Sequence, residues 1–176
     1  MNFATVRKFD QSLPMALLRA REIAMGYFRP LLNAHGVTEQ QWRVIRVLQE
    51  YGELEFHELS RIAWIQPPSL TGILTRLEKL SLVSRKRSAT DQRRLHLSLT
   101  PAGQRRFAKV SVESERRYGE IEQRLGKSRL ESLMTILREF DRLAPEPSTD
   151  TGDAAPAPPA ELAPLSRPRR RARPRR

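Results

Sequence analysis

The stretch that decides the fold runs over residues 67–103 and reads PPSLTGILTRLEKLSLVSRKRSATDQRRLHLSLTPAG. Its first part has leucine and isoleucine at three- and four-residue steps, the spacing of one buried helical face. The members of that face are Leu70, Ile73, Leu74, Leu77 and Leu80. A strand starting at Leu82 and Val83, a basic loop and a returning strand with alternating leucines follow. This order predicts a helix followed by a β-hairpin wing.

The opposite side of that helix is small, hydroxylated and basic. It consists of Ser69, Thr71, Gly72, Thr75, Arg76 and Lys79. Small residues allow close approach to another surface, hydroxyl groups reach phosphates, and arginine pairs bidentately with guanine. The pattern therefore predicts a helix that enters the major groove of DNA.

The wing carries five basic residues and one acid. They are Arg85, Lys86, Arg87, Arg93 and Arg94, with Asp91 as the acid. Asp91 and Arg93 lie two apart, so in an extended segment they share one side and can pair. We expect the carboxylate to hold the guanidinium ready for a narrow minor groove, and the alternative is a solvated charged turn. The other wing cations are expected to contact phosphates, which sets affinity rather than sequence choice.

Composition limits the class of protein. The chain has 176 residues, and 32 Lys and Arg against 20 Asp and Glu give a formal net charge of +12, which indicates a polyanionic partner. With no cysteine, and with His35, His57 and His96 lacking metal-ligand spacing, no metal or cofactor is expected. No apolar run is long enough to span a bilayer, so the sequence predicts a cytoplasmic protein without a membrane partner.

Helical periodicity extends on both sides of this stretch. A first helix is expected from Leu13 to Leu32, interrupted near Pro30. Its apolar face consists of Leu13, Leu17, Ala20, Ala24, Phe28 and Leu31. Thr38 with Gln41 offers an N-terminal cap for a second helix that ends at Gly52. A short third helix at about 55–64 and a fourth over 66–81 complete a helix-turn-helix.

Two terminal helices follow the wing, one starting at Thr100 and Pro101 and the other ending before Pro145. They have more apolar surface than a winged helix can cover, which predicts a homodimer suited to a palindromic site on double-stranded DNA. The expected fold is mainly α with a β-hairpin wing. The expected domain covers residues 1–144, with a DNA-binding core at 34–100 and dimerisation helices at 12–33 and 101–144.

The last segment, residues 145–176, differs in composition from the rest. It contains eight of the 13 prolines and ends in LSRPRRRARPRR. This composition predicts a disordered tail. Its arginines either touch DNA phosphates without sequence preference or are merely solvated.

The string DQRRLHLSLTPAG, together with Thr38 and the helix-turn-helix, resembles the MarR-type winged-helix regulators, which share an Asp-x-Arg wing and a following Leu-Thr-x-x-Gly. The resemblance covers about residues 13–143, and the first four helices look like those of repressors of homoprotocatechuate and 4-hydroxyphenylacetate degradation. It implies a bacterial repressor that leaves its operator when a small aromatic carboxylic acid binds. Trp64 and Gly72 depart from the family pattern, where Gly and a longer polar residue are common.

Arg21 interrupts the apolar stripe of the first helix. It forms a salt bridge at the dimer interface, or extends its charged end to solvent as a snorkelling side chain, or captures an aromatic acid, because guanidinium binds carboxylate bidentately. Met25, Phe28 and Trp42 are the expected apolar walls, although Trp42 alone is more typical of a core. Arg46 is a candidate second anion contact and His57 a candidate partner for a phenolic hydroxyl; otherwise both are surface residues.

Three functional classes remain open at this point. The leading one is a ligand-responsive repressor of an aromatic catabolic operon. The alternative is a ligand-independent architectural DNA-binding protein, favoured by the net charge and the basic tail. An enzyme is the weakest, since the sequence presents no nucleophile with a base, paired carboxylates or phosphate loop.

Overall fold

The computed structural model describes residues 8–87 and 95–143, which form six α-helices and a small sheet. A 3₁₀ turn at Phe9–Gln11 precedes α1. The elements are α1 (Leu13–Ala34), α2 (Glu39–Tyr51), β1 (Leu54–Glu55), α3 (Phe56–Ala63), α4 (Pro67–Lys79), β2 (Val83–Arg87), β3 (Leu95–Leu99), α5 (Pro101–Leu125) and α6 (Lys127–Asp141). The expected mainly α fold with a β-hairpin wing is confirmed.

The first helix is longer than predicted, and the expected interruption at Pro30 is wrong. Helix α1 continues through Pro30 to Ala34. Proline lacks the N–H that would bond the carbonyl of Gly26, which weakens the helix at that turn. Leu31 and Leu32 follow immediately and are buried in the core, so their packing outweighs the lost hydrogen bond.

The helix-turn-helix forms at the predicted positions. Thr38 accepts a hydrogen bond from the backbone of Gln41, whose side chain accepts one from the backbone of Thr38, so the capping box at the start of α2 is confirmed. Helix α3 ends at Ala63, and its C-terminal cap Trp64 adopts the left-handed conformation at φ 51°. Arg43 of α2 donates to the carbonyls of Ala63 (3.1 Å) and Trp64 (3.3 Å), which holds this turn in front of α4.

Helix α4 packs on the core through four of the five predicted residues. Leu70, Ile73, Leu74 and Leu77 are buried. The prediction for Leu80 is wrong, because it is the C-terminal cap of α4 and is 51% exposed. The chain turns at Ser81 with φ 55°, and Leu82 and Val83 after this turn are buried instead.

The wing is the larger part of a three-stranded antiparallel sheet with the order β1, β3, β2. Val83 pairs with Leu99 and Arg87 with Leu95, which sets the register of the hairpin. On the other edge of β3, Leu54 pairs with Leu97, which is fully buried at the centre. Strand β1 was not predicted, because a two-residue strand is too short to show alternation.

The start of α5 is locked against the end of α4. The hydroxyl of Thr100 accepts a hydrogen bond from the backbone N–H of Gly103 (3.0 Å) and donates one to the carbonyl of Ser81 (2.6 Å). A Cβ at position 103 would lie 2.1 Å from the carbonyl oxygen of Leu82. Glycine is therefore required here by the close approach of two backbones.

Replacing Gly103 with alanine is expected to destabilise the fold by about 1–3 kcal/mol, because backbone must move to accept the methyl group. Urea unfolding monitored by circular dichroism measures the effect. Gly119→Ala is the matched control, since a Cβ there meets nothing within 4 Å. Equal stability of the Gly103→Ala variant and the wild type would contradict the close contact.

Candidate DNA-binding surface and effector site

The outer face of α4 presents all six residues predicted for the major groove. Each is exposed: Ser69, Thr71, Gly72, Thr75, Arg76 and Lys79. The face begins in the first turn of the helix, after Pro67 and Pro68, and ends with its basic last turn. It therefore combines a small, hydroxylated surface with two cations.

Two hydroxyl groups on this face already hold backbone partners. Thr71 Oγ1 donates to the carbonyl oxygen of Pro67 at 3.1 Å. Thr75 Oγ1 donates to the carbonyl oxygen of Thr71 at 2.9 Å. Both threonines thus bond back to the preceding turn of their own helix.

Arg85 joins the wing to α4. Its Nε lies 2.6 Å from Glu78 Oε2, and its Nη2 donates to Thr75 Oγ1 at 3.2 Å. Only 22% of the Arg85 side chain is exposed. To contact a phosphate, its guanidinium has to bind the phosphate together with Glu78 or break the ion pair with Glu78. Sequence reasoning missed this role because the partners belong to another element.

The structure describes two of the remaining charged residues of the wing. Lys86 is exposed on β2, and Arg87 ends that strand opposite Leu95. Asp91, Arg93 and Arg94 lie outside the described residues, so the expected pairing of Asp91 with Arg93 stays a prediction.

Arg21 belongs to a network of four charges that joins α1 to the start of α2. Its guanidinium lies 2.6 Å from a carboxylate oxygen of Glu22 and 2.6 Å from one of Glu39. Arg29 binds the same two carboxylates. An incoming aromatic acid at Arg21 therefore has to compete with carboxylates of the same chain.

The charge network lowers the pKa of Glu39. Burial alone raises the pKa of Glu39, but hydrogen bonds from Arg29 and Arg21 outweigh it and hold the pKa below its usual value. The hydrogen bonds that Arg29 donates to Glu22 and Glu39 in turn raise the pKa of Arg29. Glu39 is therefore ionised at neutral pH.

The expected aromatic walls form two ring pairs against α5. Trp42 is only 8% exposed and stacks on Phe107, with centroids 5.5 Å apart. Phe28 is half-buried and meets Tyr118 at 5.0 Å. The sequence did not indicate that Phe107 and Tyr118 of α5 face Trp42 and Phe28.

The other candidate effector residues are scattered. Met25 is half-buried against the core, whereas Arg46 is exposed on α2 one turn after Trp42. His57 is exposed on α3, where its ring meets Phe56 edge-on at 5.6 Å. The structure brings Arg46 near Trp42 along one helix but places His57 on another.

An open groove of about 630 Å³ lies between the end of α2 and the first half of α5. Its lining residues are Gln49, Gln104, Phe107, Ala108, Ser111 and Val112. Sequence reasoning named none of them as a ligand contact. Phe107 lines this groove and also stacks on Trp42, so the groove borders the predicted aromatic wall.

The sequence pattern of the MarR family matches residues 37–95. Over 129 residues the chain is 46% identical to the homoprotocatechuate degradative operon repressor of Escherichia coli, which covers 73% of this chain and 87% of the repressor. The chain belongs to the MarR family. It is also 45% identical over 132 residues to the HTH-type transcriptional regulator FarR of Neisseria gonorrhoeae, covering 75% of this chain and 90% of FarR.

Among solved structures, that of NadR in complex with 4-hydroxyphenylacetate matches this MarR-family chain with a TM-score of 0.66 and 44% identity. The match covers 77% of this chain and 96% of NadR. The family and the relatives are transcriptional regulators, so the predicted regulatory function is confirmed. Within the part of the chain that the structure describes, no helix is long and apolar enough to cross a membrane.

The charge network gives this MarR-family protein a defined acid response. Because the folded-state pKa of Glu39 is depressed, its contribution to stability is present above about pH 4.5 and is lost as pH falls through the folded-state value. At neutral pH, Glu39→Gln should lower the unfolding free energy, with about 0.3–1 kcal/mol from the α2 dipole alone.

Urea unfolding at pH 7 and pH 3 tests this response. The difference between the wild type and Glu39→Gln should shrink at pH 3. Glu50→Gln, at an exposed position near the other end of α2, serves as the control and should show no comparable loss. A difference that is the same at both pH values would contradict the role of the Glu39 charge.

Proposed function

We propose that this MarR-family regulator is a cytoplasmic, dimeric repressor of an aromatic catabolic operon, which leaves a palindromic operator when a phenylacetate-type acid binds. The observation that carries the ligand class is the 44% identity to NadR, solved with 4-hydroxyphenylacetate, over most of both chains. The repressor of homoprotocatechuate degradation is similar over a comparable length. The proposal assigns no catalytic role and no cofactor.

The proposed domain organisation is the one that the sequence predicts. Residues 34–100 are assigned to DNA binding, 12–33 and 101–144 to dimerisation, and 145–176 to a tail. Large apolar side chains stand exposed on α1, α5 and α6 of the single chain. They include Leu18, Ile23, Val112, Tyr118, Leu133, Met134, Ile136 and Phe140. A second copy that covers these faces explains their exposure and also matches a two-fold symmetric operator.

The proposed DNA interface consists of the outer face of α4 with the wing. Ser69, Thr71, Gly72, Thr75 and Arg76 are assigned to the groove. Lys79 and the basic residues of the wing, apart from Arg93, are assigned to phosphates. Arg93, positioned by Asp91, is assigned to the minor groove. The exposure of the whole α4 face supports this assignment.

The proposed effector site lies where α1 and α2 meet. Arg21 and Arg46 supply positive charge for the carboxylate, and Met25, Phe28 and Trp42 supply apolar surface for the ring, while His57 stays a candidate for the phenolic hydroxyl. A carboxylate that binds Arg21 competes with Glu39, which opens the connection between a dimerisation helix and the DNA-binding core. The protein then leaves the operator if the ligand binds more tightly to the conformation with the altered spacing of the α4 helices than to the DNA-binding conformation.

Arg21→Ala is expected to reduce the thermal stabilisation produced by 4-hydroxyphenylacetate and by homoprotocatechuate. A ligand at 100 times its Kd stabilises the wild type by about 2.7 kcal/mol, so a tenfold weaker site loses about half of that. The quantity compared is each protein's ligand-induced shift in Tm. Arg19→Ala, also exposed on α1, is the matched control. Equal shifts in wild type and Arg21→Ala would remove Arg21 from the site.

Footprinting with the full chain separates the two functional classes. A ligand-responsive repressor should protect a discrete palindrome and release it when the acid is added. Uniform coating of DNA, unaffected by ligand, would instead support the architectural alternative that the net charge of +12 favours.

A further inference from the structure

Thr71 and Thr75 lie one helical turn apart on the exposed face of α4. Residues four apart on a helix stand one above the other, so their side chains form a short row along that face. Gly72 lies beside this row, and a Cβ built there meets nothing within 4 Å. The surface next to the two threonines is therefore open to a closely approaching partner.

The hydroxyl protons of both threonines are already used. A threonine hydroxyl has a single proton to donate. That of Thr71 goes to the carbonyl of Pro67, and that of Thr75 goes to the carbonyl of Thr71. Neither hydroxyl can donate to a base or a phosphate without first breaking a hydrogen bond of its own helix.

The Thr75 hydroxyl is also fixed from a second side. Arg85 donates to Thr75 Oγ1 at 3.2 Å, while its own Nε lies 2.6 Å from Glu78. Breaking this arrangement disturbs an ion pair between β2 and α4. Arg85 thus acts as a positioning residue that keeps the Thr75 rotamer. The Thr75 side chain then offers a partner its γ-methyl and one acceptor lone pair, but no hydroxyl proton.

We propose that Thr71 and Thr75 recognise the 5-methyl groups of thymine in the operator. This inference rests on the proposed insertion of α4 into the major groove. There thymine presents a methyl group that cytosine lacks, and threonine methyls make apolar contacts with it. The row therefore selects T·A base pairs under the two side chains, while Arg76, one residue farther on, remains available for guanine or phosphate.

Uracil substitution tests the methyl contact directly, because it removes the 5-methyl and leaves the pairing edge unchanged. The probe is a duplex selected from random sequence by the full-length protein, made with thymine or with uracil. We expect the wild type to bind the uracil duplex at least about tenfold more weakly, since each half-site loses one or two methyl contacts. Single uracil substitutions should locate the loss at one or two positions in each half-site.

Two conservative variants assign the effect to Thr75. Thr75→Ser removes the methyl and keeps the hydroxyl, so it should bind the thymine duplex more weakly and show a smaller preference for thymine. Thr75→Val keeps a methyl and removes the hydroxyl, so it should retain the preference. Thr71→Ser and Thr71→Val form a second matched pair. Circular dichroism establishes that each variant is folded.

The outcomes distinguish this inference from the proposed function. Equal binding of thymine and uracil duplexes by the wild type overturns the methyl contact and leaves DNA recognition by α4 intact. Loss of the preference in Thr75→Val but not in Thr75→Ser overturns it as well, because the hydroxyl is then the reader. Unchanged affinity of Arg76→Ala for the thymine duplex, or no selected sequence at all, instead overturns the role of α4.

Discussion

Leu133→Asp is expected to convert the dimer into monomers and to lower operator affinity at least about 100-fold. Helix α6 has no buried residue in the single chain, and Leu133 is 42% exposed although it belongs to the apolar face of that helix. A carboxylate placed in an apolar interface loses its hydration without gaining a partner, which costs several kcal/mol. A monomer reaches only one half-site and therefore loses the contribution of the second.

Thr135→Asp provides the matched control for this variant. Thr135 is exposed on the side of α6 away from Leu133, where its hydroxyl bonds the carbonyl of Glu131. The Thr135→Asp variant should remain dimeric and bind DNA like the wild type. Analytical ultracentrifugation gives the mass and fluorescence anisotropy gives the affinity. A Leu133→Asp protein that stays dimeric at micromolar concentration would place the interface on another face.

Local signals of the fold were readable from the sequence because they are carried by neighbouring residues. The cap at Thr38 and the apolar steps of α4 each depend on residues within one or two helical turns. Pro30 and Leu80 show where such reasoning fails. Burial of the residues after Pro30 keeps α1 intact, and the turn at Ser81 exposes Leu80, so tertiary packing decided both positions.

Part of the candidate site is likewise predictable from local sequence patterns, and part of it depends on tertiary packing. The outer face of α4 was predictable, because its polar residues follow helical spacing and remain exposed. The sequence allows a salt bridge of Arg21 at the dimer interface, but it does not indicate Glu39 of the same chain as a partner, since the two are 18 positions apart. The Arg85 contacts with Glu78 and Thr75 likewise depend on how β2 packs against α4. Side-chain pairs between elements carry no periodic signal in a single sequence.

Arg93→Ala is expected to lower operator affinity by at least about 30-fold while leaving the dimer intact. Residues 88–94 connect Arg87 to Leu95, which face each other at the end of the described hairpin ladder. Arg93 precedes β3 and belongs to neither α5 nor α6, so its loss should not affect dimerisation. One specific arginine contact is worth about 1–3 kcal/mol, and a symmetric dimer loses it twice.

A comparison of Arg94→Ala with Arg93→Ala distinguishes a sequence-specific contact from a phosphate contact. A phosphate contact at Arg94 should weaken binding to all sequences alike and reduce the salt dependence, whereas Arg93→Ala should mainly weaken the selected operator. Gel shifts at two salt concentrations, with operator and with unrelated DNA, measure both effects. Asp91→Ala should resemble a milder Arg93→Ala, because the arginine then keeps its charge but loses the carboxylate that orders it. Unchanged operator affinity of Arg93→Ala would return the Asp91 and Arg93 pair to a solvated turn.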